Sequence, residues 1–115
     1  MFQTILFICS ANKQRSKTAE DYFSSKYANI HFLSAGTNIK MCEREGTNPL
    51  TIAALEESDF IFVMENTHKK EVKNFINGRF QKKIVVLNIP DIYKYYQKEL
   101  IEILEEKVGC YFTSP

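Results

Sequence analysis

The sequence predicts a three-layer α/β fold: a doubly wound, four-stranded parallel sheet with helices on both faces. Three observations lead there. Short, β-prone apolar runs alternate with longer stretches of helical periodicity in the order βαβαβαβα. The runs are apolar almost throughout, as in strands covered on both sides. The segments between them are long enough for the right-handed crossovers that parallel strands require.

Each element has its own signature. Residues 3–8 are nearly all apolar and form the first strand. Small and polar residues, 10–14, make a loop, and a helix runs from Arg15 to about Tyr27 with Ala19, Tyr22, Phe23 and Tyr27 at helical spacing. Residues 30–33 are a second strand, ended by Ser34, Ala35, Gly36 and Thr37. The polar stretch 38–47 reads as a loop. Asn48 followed by Pro49 reads as a helix start, Asn as N-cap and Pro at the first helical position. That helix carries Leu50, Ala53, Ala54 and Leu55. Residues 60–64 are the third strand; Asn66 or Thr67 caps a basic helix reaching about Asn77, and Gly78 stops it. Residues 83–87 are the fourth strand, 88–96 a loop, and 97–108 the last helix, closed by Gly109.

The length of 115 residues predicts one domain, 1–115, with a core that needs no disulfide staples. A net charge of +1 provides no global field for nucleic acid or an anionic membrane, so neither is an expected partner. Any anion site must be built locally. The apolar run at residues 5–8 is too short for a signal segment, and nothing approaches membrane-spanning length. Three cysteines, Cys9, Cys42 and Cys110, form no paired spacing and argue against a disulfide framework. With only two histidines and no Cys-x-x-Cys, no structural metal site is expected. A reducing, cytoplasmic setting is the expectation.

The segment that carries chemistry is Cys9-Ser10-Ala11-Asn12-Lys13-Gln14-Arg15-Ser16, between a strand and a helix. Five residues between Cys9 and Arg15 let the backbone curl into a cup whose N–H groups converge on a phosphate. The following helix adds its positive end. The same field favours a thiolate on Cys9, a nucleophile. Arg15 supplies a planar fork for two phosphoryl oxygens. Ser16 can donate to the sulfur, and Asn12 tolerates the left-handed backbone a tight loop needs. A proton for the leaving group must come from a carboxylic acid near the cup. Asp91, just past the fourth strand and stiffened by Pro90, is placed for it. Asp59 precedes its strand and so falls at the opposite sheet edge, a structural position.

With these residues in hand, the chain resembles the low-molecular-weight protein tyrosine phosphatase family. The resemblance lies in Leu6-Phe7-Ile8-Cys9 through Arg15-Ser16, Thr18-Ala19-Glu20, Ser34-Ala35-Gly36-Thr37, the run from Asp59 to Met64, and Ile89-Pro90-Asp91 with Tyr93. It implies Cys9 as nucleophile, Arg15 as phosphate clamp, Ser16 as thiolate partner, Asn12 as loop organiser and Asp91 as general acid. It implies no metal or cofactor, and a phosphotyrosine protein or small aryl phosphate as substrate. The sequence departs from the family where Ala11 replaces Gly, Gln14 a second Cys, Lys13 an apolar residue, and Lys17 and Ile92 prolines. The stretch after Thr37, which normally helps wall the cleft, is short. An arsenate reductase on the same scaffold, for which Cys42 and Cys110 lack the close downstream cysteine pair, and a non-catalytic phosphate- or phosphoprotein-binding module are the alternatives; Cys42 and Cys110 read as incidental thiols or as redox partners of Cys9. Among Tyr93, Tyr95 and Tyr96, Tyr93 is the expected substrate wall. The basic run from His68 to Lys73 reads as a solvated helix face, with His68 an ordinary helix-start residue.

Overall fold

The computed structural model describes residues 3–77 and 83–112. Four strands, β1 (Gln3–Cys9), β2 (Ile30–Gly36), β3 (Phe60–Val63) and β4 (Ile84–Val86), pair in parallel in the order β2-β1-β3-β4. Alternate residues of β1 serve different faces. Ile5, Phe7 and Cys9 face a layer made by Ala19 and Phe23 of α1 (Arg15–Lys26) and by Leu100, Leu104 and Val108 of α5 (Lys98–Val108). Leu6 and Ile8 face Leu55 of α3 (Ile52–Glu57) and Val72 and Ile76 of α4 (Asn66–Ile76). This two-sided cover is the predicted three-layer, doubly wound arrangement. At the centre, Phe7 stacks on Phe23, Phe32 and Phe62 with ring centroids 5.8, 6.1 and 5.6 Å apart. Each such ring withdrawn from water stabilises by about 1.5–3 kcal/mol.

β2 and β3 lie on opposite sides of β1, so the chain reverses its winding direction at β1. The crevice beyond the carboxyl ends of β1 and β3 is where ligands bind in such sheets. At the opposite edge, Asp59 accepts from the Thr4 amide at 2.8 Å, the structural position expected of it.

Several local expectations are corrected. The stretch 38–47 is not a loop; it holds α2 (Ile39–Glu45). Asn38 caps it by accepting from the Met41 amide, and Gly46 ends it at φ 73°. Asn48 and Pro49 do not start a helix. Gly36 donates to the Asn48 carbonyl and accepts from the Leu50 amide, both at 2.9 Å, so residues 48–50 run beside the end of β2 instead. Thr51 is the N-cap of α3, and Leu50 lies outside it. Glu65 rather than Asn66 or Thr67 caps α4. β2 extends to Gly36. The last helix does end at Val108 with Gly109 as its C-cap, and a 3₁₀ turn, Gly109–Tyr111, follows. Gly78, the expected stop of α4, lies outside the described residues. Among the described residues, no helix is long and apolar enough to cross a membrane.

Candidate active site

The end of β1 and the start of α1 are joined by five residues that must turn within a few ångströms. The turn is possible because Asn12 sits at φ 55°, a left-handed conformation its short polar side chain tolerates. The loop carbonyls are tied to the surrounding shell. Cys9 O accepts from the Thr37 amide and Ser10 O from the Asn38 amide, each at 2.9 Å. Ala11 O accepts from the Thr47 hydroxyl at 2.5 Å. A trans peptide points its N–H opposite its carbonyl, so these bonds turn the following amides toward the inside of the loop. Gly36 makes the close approach of loop and β2 possible: a Cβ there would meet Ser10 O at 2.4 Å and Cys42 Sγ at 2.5 Å. Cys42 itself is buried behind the loop, its sulfur 3.4 Å from Ala11 O.

α1 points its N-terminus into the cup. No acidic residue occupies its first turn, and its N-cap, Gln14, makes no side-chain cap bond. The positive end of the helix is therefore not neutralised locally.

The three polar residues beneath the cup form an ordered chain. The Asn48 amide donates to Asn12 Oδ1 at 3.0 Å, which fixes the orientation of the Asn12 amide. Asn12 Nδ2 then donates to Ser16 Oγ at 2.8 Å. With an oxygen lone pair so occupied, the Ser16 hydroxyl hydrogen is available to Cys9 Sγ, 2.9 Å away. Cys9, Asn12 and Ser16 are buried, while Asn48 is exposed. A donor held against the sulfur stabilises it as an anion and as a leaving group.

Arg15 is only 2% exposed, so its charge must be met inside the protein. Its Nη1 donates to Glu65 Oε2 at 2.6 Å and to the Ile89 carbonyl at 2.7 Å. Its Nε lies 3.8 Å from Asp91 Oδ1. Three loops that follow three different strands thus meet at one guanidinium. The Asp91 side chain is 69% exposed and sits at the mouth, within reach of a group entering from solvent.

These residues border a cavity of about 550 Å³ lined by Cys9, Ser10, Ala11, Lys13, Gln14, Arg15 and Asp91 and, from the α2 side, by Asn38, Met41, Arg44 and Glu45. Asn12 and Ser16 lie beneath its floor rather than on it. Lys13 spans to Glu45 at 2.9 Å, and this ion pair holds the Glu45 carboxyl below its ordinary range. Tyr93, the expected wall, is not among the lining residues; it is half-buried and packs on the core cluster instead. No lining side chain of this cavity is aromatic. Cys110 lies in the turn whose Tyr111 packs on Phe60 at the start of β3, away from Cys9. No described group of three His, Cys, Asp or Glu residues is placed to hold a metal ion.

Two residues, Glu65 and His68, fall at this edge of the sheet by their sequence position, but their roles here were not legible. Glu65 clamps Arg15, and His68 is no solvated helix residue. It is 1% exposed, accepts from the Glu65 amide at Nδ1 (3.1 Å) and meets Ser10 Oγ at Nε2 (2.9 Å). The available signal was position: both follow β3, the strand beside β1.

No protein-family model and no curated protein sequence matches the chain. Solved structures do. A mutant of YwlE from Bacillus subtilis is 22% identical, with a TM-score of 0.71 over 96% of this chain and 99% of that one. A second structure of YwlE, described as an arginine phosphatase carrying a phosphorylated active-site serine in a cysteine-to-serine mutant, is 23% identical, with a TM-score of 0.68 over 90% of this chain and 92% of that one. The tyrosine phosphatase Wzb from Escherichia coli K30, in complex with phosphate, is 22% identical, with a TM-score of 0.70 over 96% of each chain. The chain has the fold of the low-molecular-weight protein tyrosine phosphatases.

Proposed function

We propose that the chain is a cysteine-dependent phosphatase acting on phosphotyrosine in proteins or on small aryl phosphates. The observation that carries this reading is the meeting of Cys9, Ser16, Arg15 and Asp91 around one cavity at the switch point of the sheet. The Cys9 thiolate attacks phosphorus, the P–O bond breaks, and the leaving oxygen takes a proton from Asp91. The cup amides, the end of α1 and Arg15 hold the equatorial oxygens as charge spreads over them. Asp91, now a carboxylate, takes a proton from water as that water attacks phosphorus. The S–P bond breaks, inorganic phosphate leaves, and Ser16 stabilises the returning thiolate.

Asp91→Asn tests the acid role. Poor leaving groups need protonation and good ones do not. The variant is expected to lose roughly 10²–10³-fold in kcat/KM, which reports the step that expels the phenol, for phenyl phosphate and far less for an aryl phosphate with an acidic phenol. Equal losses for both would remove Asp91 from the role.

One observation favours a second substrate. The cavity has no aromatic lining side chain, and while Glu45 is paired with Lys13, the Asp91 carboxylate stands exposed at the mouth. A phosphorylated arginine presents a cationic, planar leaving group that suits such a mouth. Comparing kcat/KM for phosphotyrosine and phosphoarginine peptides of one sequence separates the two readings.

A further inference from the structure

We propose that His68 is a positioning residue: as the neutral Nε2–H tautomer it donates to Ser10 Oγ and so commits the Ser10 hydroxyl as a donor to the anion held in the cup. The inference deepens the phosphatase reading and rests on it in its kinetic part only.

The assignment follows from counting donors. The Glu65 N–H points at His68 Nδ1 at 3.1 Å, so Nδ1 must be a lone pair. The ring proton of the neutral imidazole is then on Nε2, 2.9 Å from Ser10 Oγ. Ser10 Oγ is therefore an acceptor toward His68, and its single hydrogen is left for another partner. Ser10 lines the cavity directly beside Cys9.

The same ring braces a second part of the cup. Its bond to the Glu65 amide closes the capping box of α4, and the carboxylate of that same Glu65 holds Arg15 at 2.6 Å. One buried side chain thus links Ser10, on the loop, to the residue that positions the guanidinium.

The surroundings favour the neutral ring. Burial first, then the nearby Arg15 guanidinium, lower the His68 value below that of an ordinary histidine; Glu65, Glu71 and Asp91 act in the opposite sense. A second proton would have to sit on Nδ1, facing the Glu65 N–H, and would expel it. The sign follows: the unfolded chain binds the proton first as pH falls, so the brace is intact at neutral pH and is lost as pH drops through the lowered folded value.

Two variants divide the ring's two bonds. Gln places an amide nitrogen near Nε2 and can keep the bond to Ser10 without titrating. Asn places an oxygen near Nδ1 and can keep the Glu65 bond but not the one to Ser10. His68→Asn and Ser10→Ala are expected to weaken inorganic phosphate binding, and to lower kcat/KM for an aryl phosphate, by roughly ten- to hundredfold each. The double variant should be no worse than either single one. His68→Gln should keep at least a third of the activity and shift the acid limb of the kcat/KM profile to lower pH. Nitrogen-15 NMR supplies a readout free of turnover. His31 is exposed and His68 buried, so the two histidines are separable. His68 should appear as the neutral Nε2–H form at pH 7. A protonated or Nδ1–H ring there, wild-type phosphate affinity in Ser10→Ala, or additive losses in the double variant would overturn the proposal. A wild-type chain that binds phosphate but turns over no ester contradicts the phosphatase reading instead; the NMR and phosphate-binding results then decide the role of His68.

Discussion

Cys9→Ser is expected to lower hydrolysis of an aryl phosphate by about 10⁴-fold or more. The sulfur borders the cavity at the end of β1, and neither other described cysteine does: Cys42 is buried behind the loop and Cys110 is exposed in the 3₁₀ turn after α5. Serine keeps a hydrogen-bonding atom for Ser16 but needs a general base to become a nucleophile, and no described histidine or carboxylate bonds to Cys9. The fold should survive, since serine is smaller and the surrounding network of Asn12, Ser16 and Asn48 is untouched. Steady-state kinetics with a thermal melt and inorganic phosphate binding check this: activity lost, melting point within a few degrees and phosphate still bound. Equal rates in the two proteins would remove Cys9 from the chemistry and with it the arsenate-reduction alternative, which uses the same sulfur.

Arg15→Lys carries the second largest effect. A lysine is a point donor and cannot satisfy Glu65 and the Ile89 carbonyl while presenting a planar edge to phosphate. The expected loss is roughly 10²–10³-fold in kcat/KM, mostly from transition-state charge left unheld. Stability should fall as well, by about 1–3 kcal/mol, for a carbonyl left unpaired in the interior. The Glu65 side chain is 41% exposed, so water offsets most of what its loss of the guanidinium would cost. Urea unfolding beside the kinetics separates the two effects. A variant with full activity and lowered stability would reduce Arg15 to a structural brace between three loops.

The sheet was legible because each strand is a short, mostly apolar run, and such a run reads the same wherever its partners come from. Cys9, Arg15 and Ser16 were legible for a different reason: they lie within eight positions, and the Cys9–Ser16 contact follows from one local turn. Asp91 could be placed from its position after a strand. α2 was missed although Asn38 and Gly46 are a proper N-cap and a left-handed C-cap, because only Cys42 of its residues is buried and the apolar stripe is too thin to show. Asn48-Pro49 carries a true helix-start signature, yet tertiary pairing with Gly36 uses that backbone first. His68 and Glu65 depend on contacts 58 and 50 positions away. No local pattern encodes those; they follow from the register of β1 against β3. The packing of Tyr93 on the core was not legible for the same reason: it is a choice made by tertiary contacts and not by its own sequence neighbours.

The most direct measurement traps the intermediate. Turnover of an aryl phosphate is quenched in acid during the steady state, and the digested chain is searched for covalently bound phosphorus. Phosphorus on the peptide that carries Cys9, absent from Cys9→Ser, is the expected result. Sustained turnover with no phosphorus on Cys9, or with phosphorus on Cys42 or Cys110, would contradict Cys9 as the nucleophile.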